Sequence, residues 1–511
     1  MMYKYYGNRE GLLLKINSIL DISPLVSSYK VTYPIVSVDL IDNGSVELEI
    51  SEVEEGPRTI SIMSPFEDVY IIRIIGEEGN LCKNLREDLK YKFLAYSETE
   101  QQAILNDMPL LKEYRSIYEG SFNNVALIWR DHFVEDSLGL LKTFVKMGLD
   151  PSFTIVFDKG DATLHRKEIW ETFKNIGFGV YKLDNAEFNK GNNSDSVIEV
   201  NNILQEFINE AAKHNKKILI MDDGAFVTRF LSRETNNIEG IIELTEMGLR
   251  RIASSKLEIN CPILNVAKSD LKRFVTYPEI GLASVLRIQQ LLGAEKIIGR
   301  KILVLGYGDA GMNICKKLKY LGVNVSVVDP DPLKLITAAE DGFNTYDNVT
   351  DAILLEQPFI VIGASGYSSI TKEDIQLLPN NSYITTVATA DLAVLKDEFF
   401  NTVKQRKIPG YGTQYFLNSK TLTLLGNGRS VNLYESESIP SKAIDLFKSA
   451  ILLSAVLLIE RRDSLKNGLN KNVINEWLYE NDIFRKYYNL YFKNHTIDNT
   501  TEKLQKVEVH T

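Results

Sequence analysis

A run of glycines carries the first legible chemistry. In KILVLGYGDAG (301–311) an apolar strand pattern runs into Gly-x-Gly-x-x-Gly, and a helical pattern follows over 310–321. Gly306 suits a tight turn, Gly308 lets the backbone approach a pyrophosphate, and Gly311 lets the helix pack close to the strand. Asp309 sits at the turn into that helix, whose N-terminus would face the phosphate charge. The next strand, Val325 to Val328, ends in Asp329, 23 residues after Gly306. A carboxylate there accepts hydrogen bonds from ribose hydroxyls and repels a 2′-phosphate, so NAD is expected rather than NADP. The bland alternative is a strand-turn-helix glycine cluster with no ligand. A second candidate is KILIMDDG (217–224), a strand pattern ending in Asp222-Asp223-Gly224. Open α/β sheets bind ligands at such strand ends, although either aspartate could equally cap a helix or hold a turn. His165, His214, His495 and His510 have no mutual spacing of a metal site, and no metal is expected. Cys82, Cys261 and Cys315 are few and far apart, and Cys315 reads as packing on the helix after the glycines.

The elements that must hold these groups fall into three parts. Up to residue 85, a short helical start precedes Val31–Ile50 and Thr59–Ile75, rich in Val, Ile and Tyr, with Asp42-Asn43-Gly44 as a turn. From about residue 86, strands alternate with amphipathic helices: strands at 124–129, 153–157 and 217–221, helices at 135–147 and 166–176. A second alternating series starts at Lys301 and adds a helix at 332–340 and a strand at 358–362. Such alternation implies parallel sheets with helices on both faces. Residues 440–462 read as one long helix opening at Pro440, and hinges are expected near 280 and 440.

The length of 511 residues predicts two or three domains. A net charge of −10 argues against a nucleic-acid partner, which would call for a basic stripe or tail. The most apolar stretch, Ala450 to Ile459, is too short to span a bilayer and stops at Arg461-Arg462, so no membrane partner is expected. The start MMYKYYGNREGLLLKI has no signal-peptide core. With so few cysteines, a cytoplasmic setting is the expectation.

These motifs sit in a longer pattern. GRKILVLGYGDAG…LGVNVSVVDPDPLKLITAAEDGF resembles the NAD domain of S-adenosylhomocysteine hydrolases, with their G-Y-G-D-V-G loop and acidic-x-Asp-Pro strand end. MPLLKEYRSIY, KILIMDDGAFVT, ILNVAKSDLKRF and NGRSVNL before Pro440-Ser441 resemble further family segments in the same order, over residues 86–462. The resemblance implies an α/β fold of two doubly wound domains, a substrate domain and a Rossmann NAD domain, with an N-terminal β-rich extension. The boundaries expected are 1–85 for the extension, 86–282 with 440–493 for the substrate-like domain, 283–439 for the NAD domain and 494–511 for a polar tail. It also implies resident NAD and a place in one-carbon metabolism. In that family the 3′-hydroxyl of a nucleoside is oxidised so that the neighbouring C–H becomes acidic.

Carried over by position, Asp223 matches the substrate-binding aspartate, Lys272 the lysine serving the 3′-hydroxyl, and Asn432 and Thr245 NAD contacts. His132 matches the first-domain histidine if Gly148 is aligned; aligning Val134-Glu135 puts Asp131 there instead. Lys272 as a solvated surface lysine and His132 as a structural histidine remain the alternatives. The departures are Thr389 and Ile439 where the family has histidines, Leu244, Glu246 and Met247 in its Glu-Glu-Thr-Thr-Thr run, and Val275 or Thr276 for an aspartate. The expectation is therefore redox chemistry at a 3′-type hydroxyl of a nucleoside- or sugar-like small molecule other than the usual one. A catalytically silent NAD-sensing scaffold is the alternative, and turnover of the usual substrate with substitute residues a weaker third. A homo-oligomer is left open.

Overall fold

A computed structural model describes residues 2–6, 8–53, 69–76, 79–184, 195–231, 238–255, 259–388, 390–396, 398–417, 420–437, 439 and 441–493. Thr389, Pro440 and the tail 494–511 lie outside them.

The first unit holds β1 (Met2–Tyr6), α1 (Arg9–Asp21), β2 (Val26–Thr32), β3 (Ile35–Leu40), β4 (Ser45–Val53), β5 (Val69–Gly76) and α2 (Asn80–Leu94). Its antiparallel sheet has the order β1-β5-β4-β3-β2. Burial alternates strictly along β3, the mark of a sheet with one face on a core and one in water. The expected helical start is α1, and a short strand, β1, precedes it. Met2–Tyr6 pairs with Val69–Arg73 more than sixty residues away, a contact no local pattern displays. The helix α2 runs through residue 85, so no linker marks that position.

The second unit continues with α3 (Glu98–Asn106), α4 (Pro109–Ile117), β6 (Val125–Asp131), α5 (Glu135–Lys146), β7 (Thr154–Asp158), α6 (Arg166–Ile176), β8 (Gly179–Lys182), α7 (Asp195–Lys213), β9 (Lys217–Asp222), β10 (Ile238–Glu243), α8 (Glu246–Ser254), β11 (Pro262–Asn265) and α9 (Tyr277–Leu292). Every residue of β6 and β7 is buried, as expected of strands covered on both faces. A π-helical turn over Lys272–Thr276 leads into α9, which passes unbroken through residue 280. The chain therefore leaves this unit on a helix at the position expected for the first hinge.

The third unit contains β12 (Lys301–Leu305), α10 (Asp309–Tyr320), β13 (Asn324–Val328), α11 (Pro332–Glu340), β14 (Asn344–Tyr346), α12 (Val349–Glu356), β15 (Ile360–Gly363), α13 (Lys372–Leu377), β16 (Ser382–Thr386), α14 (Glu398–Thr402), β17 (Lys404–Ile408), β18 (Gly412–Leu417) and β19 (Lys420–Leu425). The chain then returns to the second unit through α15 (Ser441–Glu460), β20 (Gly468–Asn470), α16 (Val473–Glu480) and α17 (Ile483–Tyr491). The second sheet is parallel throughout, in the order β20-β11-β10-β9-β6-β7-β8. The third has the order β14-β13-β12-β15-β16-β19-β18-β17, with β17 and β18 antiparallel at one edge. Both sheets reverse strand order next to their first strand, at β6 and at β12, and ligands bind at the carboxyl ends of strands flanking such a point.

The helix α15 locks the second unit together. Its Asp445 accepts hydrogen bonds from the amides of Leu110 and Leu111, both at 2.9 Å, capping α4. Among the described residues no helix is long and apolar enough to cross a membrane.

Candidate functional site

A cavity of about 1130 Å³ lies where the carboxyl ends of the two parallel sheets meet. It exceeds the usual range for one small ligand, about 300–1,000 Å³. One half is walled by Gly306, Gly308, Asp309, Asp329 and Asn432, the other by His132, Asp223, Thr245 and Lys272.

The three glycines of the loop do different work. Gly306 turns the chain out of β12 with φ +104°, and a Cβ there would stand 2.7 Å from the Ser365 backbone. A Cβ on Gly311 would stand 2.0 Å from the Gly306 carbonyl oxygen, so this residue lets α10 sit against β12 and does not line the cavity. Gly308 has ordinary extended φ and ψ, and its missing Cβ opens onto space bounded only by the Lys334 ammonium at 3.7 Å. No side chain caps α10, so its first amides are presented to the cavity. Asp329 is buried at the end of β13 and braces the loop. Its Oδ2 accepts the Tyr307 amide at 2.7 Å and its Oδ1 the Asp331 amide at 2.9 Å. An open glycine surface, an uncapped helix start, an ammonium and a carboxylate at the next strand end fit the phosphates and ribose of NAD. Asn432 is buried across the cavity, its Oδ1 accepting from the Ser430 hydroxyl at 2.8 Å.

The opposite half is a chain of charged groups at the ends of β6, β7 and β9. His132 Nδ1 bonds Asp161 Oδ2 at 2.7 Å, and its Nε2 lies 3.0 Å from Lys159 Nζ. Lys159 Nζ in turn lies 2.8 Å from Asp223 Oδ1. This network assigns the imidazole proton to Nδ1, facing the carboxylate, and leaves Nε2 to accept from the ammonium. Burial would raise the Asp161 carboxyl, yet the facing His132 and Lys159 bring it below the ordinary carboxylate range. Asp131, the alternative to His132 in the alignment, sits beside it with a different partner. Asp131 pairs with Lys448 of α15 at 3.1 Å, and Lys448 also reaches Asp136 at 3.0 Å.

Lys272 opens the π-helical turn and is buried, its Nζ donating to the Leu244 carbonyl at 2.9 Å. Burial pushes its ammonium pKa down, against the pull of Asp223 and Asp131. Thr245 caps α8 by accepting the Gly248 amide, and its hydroxyl donates to Glu243 Oε1 at 2.8 Å. Glu243 also accepts the amides of Gly224, Ala225 and Thr245. Burial and the neighbouring Asp222 push its carboxyl up to about 8. Asp222 itself is spent on the Phe226 and Thr228 amides and the Thr228 hydroxyl, so the structural role applies to it and the cavity-facing one to Asp223.

Asp131, His132 and Asp223 present ligand atoms within 4.8 Å of one another, close enough for a metal ion. The ammonium groups of Lys448 and Lys159 already occupy the space beside these carboxylates, and a dication there would have to displace both. Lys159, Asp161 and Lys448 are the residues sequence reasoning missed. The signal for the first two was Asp158-Lys159-Gly160-Asp161 closing a strand beside β6.

Residues 289–438 match the family model for the NAD-binding domain of S-adenosyl-L-homocysteine hydrolase. An adenosylhomocysteinase of Nostoc sp. is 26% identical over 285 residues, 53% of this chain and 65% of that protein. One of Thermoplasma volcanium is 28% identical over 262 residues, 48% of this chain and 62% of that protein. An S-inosyl-L-homocysteine hydrolase of Methanocaldococcus jannaschii is 26% identical over 273 residues, 51% of this chain and 64% of that protein. The chain thus spans just under two thirds of the length of these relatives. With the glycine loop and its strand-end acid, these matches make residues 289–438 a Rossmann domain of the adenosylhomocysteinase type, with NAD as its cofactor.

Proposed function

We propose that the protein oxidises, transiently or for net turnover, a secondary hydroxyl of a nucleoside- or sugar-like molecule other than S-adenosyl-L-homocysteine. The observation that carries this reading is the hydrogen-bonded chain Asp161–His132–Lys159–Asp223, which shares one cavity with the glycine loop. NAD, when bound, supplies a hydride acceptor for the carbinol carbon. The hydroxyl proton then needs a base, and Lys272 is the candidate because burial lowers the cost of its neutral form. A ketone product makes the neighbouring C–H acidic. Asp223 is the candidate to orient the substrate or take that proton, with Lys159 and His132 as the acid side of the relay. In the ordinary hydrolase a histidine aligns with Ile439, which here is a buried apolar residue of the cavity wall; this supports a changed substrate.

The test is a protein purified gently, denatured, and assayed for released dinucleotide, with absorbance at 340 nm followed as candidate alcohols are added to the loaded enzyme. Stoichiometric NAD and a substrate-dependent rise are expected, with little homocysteine released from S-adenosyl-L-homocysteine. Dinucleotide-free protein would end this reading. The same Ile439 favours a second one, a silent NAD-sensing scaffold. In that case Lys272→Ala and Asp223→Asn leave function intact while Gly308→Val removes it.

A further inference from the structure

The relay accounts for the hydroxyl end of a substrate but not for the rest of the cavity wall on that side. Beyond Lys272 the lining turns apolar. Leu244 follows β10, and Ile444 and Phe447 stand one turn apart on α15. Val134, Ile280 and Ile439 extend the same lining. The Lys272 ammonium lies 4.6 Å from the Phe447 ring, so this wall and the relay are neighbours.

The backbone at that point has no free donor for a polar ligand edge, and its carbonyl already accepts one hydrogen bond. The Leu244 amide donates to the Asp222 carbonyl at 3.1 Å, and its carbonyl accepts from Lys272. Of the polar groups beside the wall, Lys448 is held by Asp131 and Asp136, Thr245 by Glu243 and Glu246 by Arg250, which leaves the Tyr277 side chain and the Thr276 hydroxyl, the latter buried and with no hydrogen-bond partner. A purine, with ring nitrogens and an exocyclic group around its rim, would leave several of them unpaired here. Each unpaired polar group costs roughly tenfold in affinity.

On the reading that this site oxidises a sugar-like hydroxyl, we propose that its substrate carries an apolar aryl or alkyl group in place of a purine, seated against Leu244, Ile444 and Phe447. The hydroxyl to be oxidised lies toward Lys272 and Asp223, and the apolar group fills the wall, which offers few hydrogen bonds to a purine edge.

The test titrates phenyl β-D-ribofuranoside and adenosine separately into the NAD-loaded full chain by calorimetry, with absorbance at 340 nm read in parallel. The phenyl riboside is expected to bind at least about tenfold tighter than adenosine. Phe447→Ala should weaken the phenyl riboside by about tenfold through lost apolar contact and leave adenosine nearly unchanged. Should that variant fail to fold, Ile444→Ala reads the same wall from the next turn of α15. Adenosine binding as tightly as the phenyl riboside, or no binding of the phenyl riboside, overturns the proposal. Tight phenyl riboside binding without any rise at 340 nm upholds it and removes the hydride-transfer reading instead.

Discussion

The glycine loop separates two effects that a single motif usually confounds. At Gly308 the backbone is extended, with φ −77° and ψ −173°, and an added methyl would meet only the Lys334 ammonium at 3.7 Å. Gly308→Ala should therefore leave the cofactor-free protein as stable as the native chain, or more stable by about 0.4–1 kcal/mol through the unfolded state. The methyl would occupy the space the pyrophosphate needs. Losing about two charge-assisted amide contacts at roughly 1.5–3 kcal/mol each weakens NAD binding by about 10²–10⁴-fold. At Gly311 the ordering is reversed. The added Cβ stands 2.0 Å from the Gly306 carbonyl oxygen and 3.0 Å from its carbon, and backbone atoms cannot swing aside. Gly311→Ala should cost about 3 kcal/mol or more even without cofactor. Urea unfolding of cofactor-stripped protein and calorimetric titration with NAD read the two terms independently. Native-like NAD affinity in Gly308→Ala, or native-like urea resistance in Gly311→Ala, would refute the assignment of these roles.

Three further outcomes follow from the charged chain. Lys159→Met and Asp223→Asn should each destabilise the protein, by about 3 kcal/mol for the lysine, and the double variant by clearly less than their sum, because each single change strands the other group; chemical denaturation of the four proteins measures the coupling. Asp161 is held below its ordinary range only in the folded state, so its stabilisation is present above the unfolded carboxyl pKa near 4 and fades as pH falls through the folded value. Asp161→Asn should lose about 2 kcal/mol or more at pH 7 and converge on the native protein in strong acid, and parallel unfolding curves at both pH values would expose any other pattern. Treatment with a chelator should leave the melting midpoint and any 340 nm response unchanged, since ammonium groups fill the space between Asp131, His132 and Asp223; a shift on chelation and its reversal by a divalent cation would contradict that arrangement.

The NAD half was legible because its determinants are contiguous. Gly306, Gly308, Gly311 and Asp329 belong to one strand-turn-helix-strand unit, and local pattern fixes their relation. The strands and helices of the parallel sheets were legible for the same reason, since β6, β7 and β12 are short apolar runs closed by turns. The charged half was not. His132 meets Asp161 and Lys159 across two neighbouring strand ends, and Lys448 reaches Asp131 from a helix more than three hundred residues later. No spacing encodes that approach; it depends on α15 crossing back over the second sheet. Lys448 was hidden further by lying in a mostly apolar helix, where pattern alone reads it as one of several interruptions. The first strand escaped notice through its dependence on β5, and the wall at Leu244, Ile444 and Phe447 is assembled from two distant segments.

The distribution of partners also bears on which group works as a base. Lys448 is shared by Asp131 and Asp136, Lys159 is held by Asp223, and His132 faces Asp161. Each facing carboxylate already has its partner, and Asp131 and Asp136 together hold the Lys448 ammonium above its ordinary range against the effect of burial. Lys272 stands differently: its hydrogen-bond partner is the Leu244 carbonyl, a neutral dipole, and it is buried between the Phe447 and Tyr277 rings. Deprotonating it sacrifices a charge–dipole contact and recovers the cost of burying an ion. The same crowding of positive charge at Lys159 pushes in that direction. Burial lowers the cost of the neutral amine that a base at this position requires, against the pull of Asp223 and Asp131. Under the proposed function the neighbouring chain supplies the orientation and the acid side of the relay. Under the proposed function, the division of labour between Lys272 and the Asp161–His132–Lys159–Asp223 chain rests on which carboxylates are already spoken for.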